Sequence, residues 1–417
     1  MWPARRAALV LLPALALAAV AAAAARLERV AVAGQAAAGG GTFEHFGVEA
    51  LPVVAPVNGR GEVAFFASLL RGRASEGFFL AAGPRVTRVA LEGDAAPGGG
   101  TFSGFGKHPM PSLNDMGDVA FAAAVAGGKT VEGIFVARRA GLAAVAVAGG
   151  PAPGIPAGTL AGVDAPALND RGAIAFLASV RRGRESLEAV YVADHGRLRK
   201  VAAQGDPAPA GGSFAGFGPP AINARGAVAF AAIVEGKAVP GGIFLADGER
   251  IRMLVGAGED TAVGGIFLKF SERVALNDAG AVTFTALLKN GPVQQAIFLA
   301  GERGARKVVA TDDAVPGGGT FSHFGLWPAL SRSGAVAFTA SVDGGPVQVA
   351  AFVASERGVE RLVALGDALP GGGTLSSFGL YPLVAMSANG IVSFATAPTA
   401  TGEGVEGIYV VRPAAAR

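Results

Sequence analysis

The sequence predicts an all-β fold, a seven-bladed β-propeller of four-stranded blades. Three observations predict it. The phrase Asn-x-x-Gly-x-x-Ala-Phe, with small variations, returns seven times at separations of 54–56 residues. Short runs rich in Val, Ala and Phe alternate with Gly- and Pro-rich segments, the pattern of many strands and many turns. Finally, the two ends of the chain carry complementary fragments of one unit.

The repeat is settled first, because its period governs every other assignment. Its copies are NGRGEVAF, NDMGDVAF, NDRGAIAF, NARGAVAF, NDAGAVTF, SRSGAVAF and SANGIVSF. A type I turn favours Asn, Asp or Ser at its first position and Gly at its fourth, where a left-handed residue starts a bulge into the returning strand. The turn residues are therefore Asn58 and Gly61, Asn114 and Gly117, Asn169 and Gly172, Asn223 and Gly226, Asn277 and Gly280, Ser331 and Gly334, and Ser387 and Gly390. Exchange of Asn for Ser suits a turn former better than a catalytic or metal-binding group.

One unit parses into four strands. In the fourth unit these are PPAIN (219–223), GAVAFAAIV (226–234), GIFLAD (242–247) and RIRMLVG (250–256). Their β-branched and aromatic content favours strands, and no window sustains a helical period. Seven such units lie within the range common for propellers. After RLVALGD (361–367) the chain continues through YPLVAMS, GIVSFATA and GIYVVRP and stops, three strands without a fourth. RLERVAVAG (26–34) matches a fourth strand without its first three. Residues 27–411 are thus expected to form one closed ring, with 412–417 as a tail.

A second phrase links the units: GDAAPGGGTFSGFG from Gly93, with close copies from Gly205, Asp312 and Gly366 and weaker ones from Gly34, Gly149 and Gly258. It has the look of a phosphate loop, but no Lys follows the glycines and a P-loop would not recur seven times. The expected role is a crossing from the outer strand of one blade to the inner strand of the next. The paired Phe residues would wedge between blades. The functional alternative rests on Asp94, Asp206, Asp313 and Asp367, equivalent positions that would make an acidic rim for Ca²⁺ or a cationic ligand. His45 and His323, also equivalent to each other, would join that rim. His108 and His195 read as lone loop residues.

Composition sets the remaining bounds. The chain has 417 residues, 51% of them hydrophobic and 16% charged, enough apolar material for a large core. Arg5 and Arg6 precede an apolar run from Ala7 to Ala25 that reads as a secretory signal cut near Ala23–Ala25, so 1–25 would be absent from the mature chain. An uncleaved N-terminal anchor is the alternative, and would be the chain's sole membrane contact. The protein is expected to be exported, to the periplasm, cell surface or medium. There is no Cys, hence no disulfide and no lipid-bearing cysteine. Without Arg5 and Arg6, 33 basic residues face 32 acidic ones, and no basic run tracks a phosphate backbone, so nucleic acid is not an expected partner.

The Asn-x-x-Gly-x-x-Ala-Phe copies resemble those of bacterial tandem-repeat proteins that carry varied C-terminal surface anchors. The resemblance spans residues 27–411 and implies a repeat architecture but no biochemical activity; this chain shows no C-terminal anchor motif of its own. No Gly-x-Ser-x-Gly, His-Glu-x-x-His or other nucleophile–base signature is present. The expectation is a monomeric, non-catalytic scaffold that binds a protein, glycan or wall component at the channel mouth. The alternative is a propeller hydrolase or lyase that cuts a glycan with carboxylates gathered there.

Overall fold

The computed structural model describes residues 26–412, apart from 49–50, 53, 107–108, 237–238, 380–382 and 400–401. The signal segment, the tail from 413 and His108 lie outside the described residues. Among these residues there is no helix; every regular element is a strand. Among the described residues no helix is long and apolar enough to cross a membrane.

Seven sheets follow one plan. In the fourth blade the order from the axis outward is Ser213–Phe217 with Ala221–Ile222, then Val228–Glu235, Gly241–Asp247 and Arg250–Gly256. Three of the four strands match the sequence parse closely. The inner strand differs: it begins at Ser213, inside the linking phrase, and it is broken. Ser213 pairs with Glu235 and Ala221 with Ala229; Gly218 N–H still donates to Ala231 O at 2.9 Å, while Pro219 and Pro220 leave the ladder. Pro has no N–H to donate, which is why the pairing lapses there. The Phe-x-x-Phe segment is therefore half of the inner strand and not part of the link.

The second and third strands are buried on both faces over most of their length because each blade is stacked between two others, so they read as continuous apolar runs, VAFAAIV and GGIFLA, in which Ile233 alone is exposed. The outer strand is buried only towards its end, and its exposed start carries Arg250. Charge on a free sheet edge discourages pairing with other chains.

The core is a set of slabs between blades. In one of them Phe214, Phe230 and Phe244 of the fourth blade pack on Ala175, Val190 and Val192 of the third. Phe230 and Phe244 stack at 5.8 Å, and Phe214 meets Phe244 edge-on at 5.1 Å. The expected wedge of Phe between blades is thus present, built from within the sheet.

The ring closes as its strand arithmetic requires. Arg26–Val32 is the outer strand of a sheet whose other members are Gly407–Arg412, Val392–Thr396 and Val384–Met386. The register sets Leu27 opposite Val411, Glu28 opposite Val410 and Val32 opposite Gly407. Ala33 N–H adds a bond to Glu406 O at 3.0 Å, and Arg412 Nε reaches Glu28 Oε2 at 3.1 Å.

Candidate binding site on the propeller axis

The inner strand runs from the Gly-rich link to the Asn-x-x-Gly turn, so these two features lie on opposite faces of the ring. The turn face is built by one repeated geometry. Asn223 Oδ1 accepts the N–H groups of Arg225 (3.1 Å) and Ala227 (3.0 Å), and Gly226 N–H returns to Asn223 O at 2.9 Å. All seven turn glycines have positive φ, between 77° and 93°. That is the left-handed region predicted for this position.

The buried Asn side chain also has a second function that sequence reading missed. Its Nδ2 donates to the backbone carbonyl of the equivalent residue in the next blade. The bonds run Asn58 to Asn114 O (3.0 Å), Asn114 to Asn169 O (3.2 Å), Asn169 to Asn223 O (2.8 Å), Asn223 to Asn277 O (3.1 Å) and Asn277 to Ser331 O (3.3 Å). A Ser hydroxyl keeps the turn contact, as Ser331 Oγ accepts Ala335 N–H at 3.0 Å, but no bond to the next blade comes from it. The last two junctions are made otherwise. Arg332 N–H donates to Ala388 O (2.9 Å), and Asn389 Nδ2 donates to Gly59 O (2.8 Å). A hydrogen-bonded girdle thus encircles the axis. The signal for it was the presence of Asn389 in one of the two Ser-containing turns.

The girdle surrounds a cavity of about 240 Å³ lined by residues of every blade. In six of the seven turns the second position lines this mouth. Three of them are aspartates that brace neighbouring turns: Asp115 Oδ1 accepts Gly59 N–H (2.6 Å), Asp170 Oδ1 accepts Asp115 N–H (2.8 Å) and Asp278 Oδ1 accepts Ala224 N–H (2.9 Å). Arg332 sits 3.5 Å from Asp278. Asp170 also lines a second cleft, of about 590 Å³, between blades two and three. There Arg138 lies 3.6 Å from Asp118, and His195 lies 2.7 Å from Asp194. His195 is thus a wall of this cleft rather than an isolated loop residue.

Deeper in the channel, the breaks in the inner strands bring in side chains that no repeat position dictates. Arg273 comes from the break of blade five and stacks on Trp327 from that of blade six, its Cζ 5.0 Å from the ring centroid. Asp164, at the bulge of the third blade's inner strand, acts on Arg273 electrostatically. Burial pulls the guanidinium down to about 10, and the Asp164 charge partly opposes that.

The residues expected to form the acidic rim are placed on the link face, and each is engaged locally. One carboxylate oxygen accepts an N–H three residues back: Asp94 from Leu91 (2.9 Å), Asp206 from Ala203, Asp313 from Ala310 and Asp367 from Ala364 (2.8 Å each). Lys200 reaches Asp206 and Lys307 reaches Asp313, both at 2.8 Å. No hydrogen bond or ion pair joins one of these aspartates to another among the described residues. His45 Nδ1 lies 2.9 Å from Glu406 Oε2, across the closing blade junction, whereas the exposed His323 pairs through its backbone with Ser341 in blade six. The structure does not bring the two together. No group of three or more His, Cys, Asp or Glu side chains that could hold a metal ion occurs among the described residues.

The link itself explains its glycines. A Cβ on Gly100 would stand 2.5 Å from Ala126 O and 2.7 Å from Gly128 N, in the turn between the second and third strands. No side chain fits so close to backbone. A further clip joins blades nearby: Glu76, Glu132, Gln295 and Glu406 accept the N–H of Phe105 (2.9 Å), Val163 (2.7 Å), Phe324 (2.8 Å) and Phe46 (2.8 Å) in the following blade. Burial pushes the Glu76 carboxyl up; the Phe105 N–H counters this and the Glu92 charge adds to it.

With this geometry in place, comparison with known proteins locates the fold. An oligogalacturonate lyase solved in complex with manganese superposes with a TM-score of 0.50 at 13% identity, over 94% of this chain and 98% of that one. A puromycin-hydrolysing peptidase of Mycobacterium tuberculosis gives 0.48 at 14% identity, over 89% of this chain and 56% of that one. A polysaccharide lyase acting on ulvan gives 0.39 at 10% identity, over 92% and 95%. At these identities the likeness is one of fold. No curated protein matches the chain in sequence. The profile of one family matches residues 16–291 and again 239–414, overlapping as a repeat architecture would. The chain belongs to that family, a family of unknown function (DUF7453).

Proposed function

We propose that the protein is an exported, non-catalytic scaffold that binds a polar ligand, a glycan or other polymer of the cell exterior, on the turn face of its propeller. The observation that supports this reading is the make-up of the axial mouth. Seven turns of one backbone form its wall, while the second residue of the turn changes from blade to blade: Gly59, Asp115, Asp170, Ala224, Asp278, Arg332 and Ala388. A rigid, uniform frame with one variable position yields a single asymmetric surface of carboxylates and a guanidinium. Such convergent polar groups over a concavity suit specific hydrogen bonding. Export rests on the basic, then apolar N-terminus, and on the resemblance of the Asn-x-x-Gly-x-x-Ala-Phe copies to those of anchored surface repeat proteins.

The alternative, a hydrolase or lyase acting on a glycan, has one observation in its favour: Asp115 and Asp170 stand on adjacent turns of the mouth. Each, however, has an oxygen held by a backbone N–H, a bracing role. The test is a glycan array with the full chain and with Asp170→Ala and Arg332→Ala. Binding that both variants weaken, without shortening of the bound glycan, is the expected result. Cleavage of the ligand would establish the enzyme instead, and binding untouched by both variants would remove the turn face from the account.

A further inference from the structure

Among the described residues, Arg273 is the charged group with a sealed nitrogen that has no partner. Asp164 and Arg273 belong to the inner strands of blades three and five, the strands nearest the axis, and the Asp164 charge acts on Arg273 across blade four. Arg273 lies on the second of two breaks that abut each other, since a Cβ on Gly218 of blade four would collide with Glu272 O. Its Nε–H is sealed from solvent and has no acceptor. No hydrogen bond or ion pair to the guanidinium occurs among the described residues, and Asp164 spends one oxygen on the N–H of Ala165 at 2.6 Å. Arg273 as a residue is half-buried, and its Nε is the guanidinium nitrogen that is sealed without a partner.

A guanidinium in this state is out of balance. Buried charges are normally paired and hydrogen-bonded, and a buried donor left alone carries its full desolvation cost. Stacking on Trp327 compensates through the ring face only and leaves the in-plane N–H groups unused. Those groups form a planar fork, the shape that matches a carboxylate through two parallel bonds. We propose that the axial channel holds a small carboxylate-bearing ligand, gripped in the plane of the Arg273 guanidinium with Trp327 as the floor beneath it. Asp164 sets selectivity: it opposes a second negative charge and favours a ligand that also offers a hydroxyl or ammonium group. This site is inside the ring and does not depend on the turn-face reading.

The molecule supplies its own reporter. Trp327 and Trp2 are the two tryptophans, so the full chain with Trp2→Phe has one indole, and it lies in the proposed site. Fluorescence is titrated at constant ionic strength with acetate, galacturonate and citrate, with neutral galactose and inorganic phosphate as controls. The expected result is a saturable change with a carboxylate and none with galactose. Arg273→Met should weaken it at least about tenfold, because a desolvated charge pair loses one member. Asp164→Asn should tighten it by about twofold, since it removes a repelling charge that its exposed position leaves partly screened. The opposite sign keeps the test decisive even if Arg273→Met folds poorly. No saturable response to any of the carboxylates, a response to phosphate alone, or an Asp164→Asn variant that binds more weakly would overturn the proposal.

Discussion

Replacing Asn169 by Ser separates the two functions of the turn asparagine. Asn169 Oδ1 accepts the N–H groups of Arg171 (3.0 Å) and Ala173 (2.9 Å), and a Ser hydroxyl can keep such a contact, as Ser331 does with Ala335. What is lost is the Nδ2 bond to Asn223 O at 2.8 Å. That carbonyl is not orphaned, because Gly226 N–H also donates to it at 2.9 Å. The cost is therefore that of one net hydrogen bond, about 1 kcal/mol, rather than the about 1–3 kcal/mol of a stranded buried acceptor. Asn169→Asp keeps the acceptors and turns a carboxylate towards the same carbonyl, so it should cost clearly more. Urea unfolding read by circular dichroism measures both, as a lowered midpoint with unchanged slope. If Asn169→Ser is silent, or if Asn169→Asp is no worse than Ser, the girdle contributes nothing and the asparagine is a turn former only.

Other perturbations follow from the same contacts. Tyr191 and Tyr409 hold the third-strand position that is Phe in the other blades, but Tyr191 OH donates to Pro153 O (3.0 Å) while the buried Tyr409 OH has no partner. Tyr191→Phe should thus cost about 1 kcal/mol and Tyr409→Phe should gain about as much, and like signs would refute the contrast. Burial, with the Asp206 charge, pushes the Tyr191 phenol up to about 12. Its contribution to stability should therefore be complete below about pH 10, the value of the unfolded phenol, and fade towards pH 12, a loss absent from Tyr191→Phe in alkaline unfolding scans. Because the folded Glu76 carboxyl is raised, its ionised form is disfavoured at neutral pH; Glu76→Gln, which copies Gln295, should raise the melting temperature at pH 7 and lose that advantage as the pH falls through the carboxyl range. A melting temperature lowered at pH 7 would contradict this. Gly172→Ala, at a φ of 82°, should lower stability by about 1 kcal/mol or more through backbone strain, since the added Cβ would meet nothing closer than Arg138 Nη2 at 3.5 Å. An unchanged urea midpoint would refute it.

The architecture was legible because a repeat writes its geometry many times. The period, the turn chemistry and the complementary ends of the chain each follow from local rules, and the pairing of Leu27 with Val411 follows from counting strands. The inner strand was misplaced at its start because Phe-x-x-Phe sits beside glycines that read as link, while Pro219 and Pro220 hide the break. The girdle was hidden for a different reason. A bond between equivalent residues of successive blades leaves no pattern in any one unit. The channel residues were least legible of all. Asp164, Arg273 and Trp327 come from three blades and from segments that differ in each copy, so only closure of the ring places them together. The equivalence among Asp94, Asp206, Asp313 and Asp367 has a local counterpart that the sequence did not show, a shared bond to the preceding strand.

Every axial feature depends on the ring being closed by strands from the two ends of the chain, and that claim has a direct test. Glu28 and Val410 are directly opposed in the closing sheet, and the chain has no cysteine of its own. In Glu28→Cys with Val410→Cys, oxidation should give an intramolecular disulfide between peptides nearly 400 residues apart, seen by mass spectrometry. The oxidised protein should melt higher than its reduced form, because the cross-link restricts the unfolded chain. Two thiols that stay free under oxidising conditions and are alkylated without denaturant would contradict the closed seven-bladed ring.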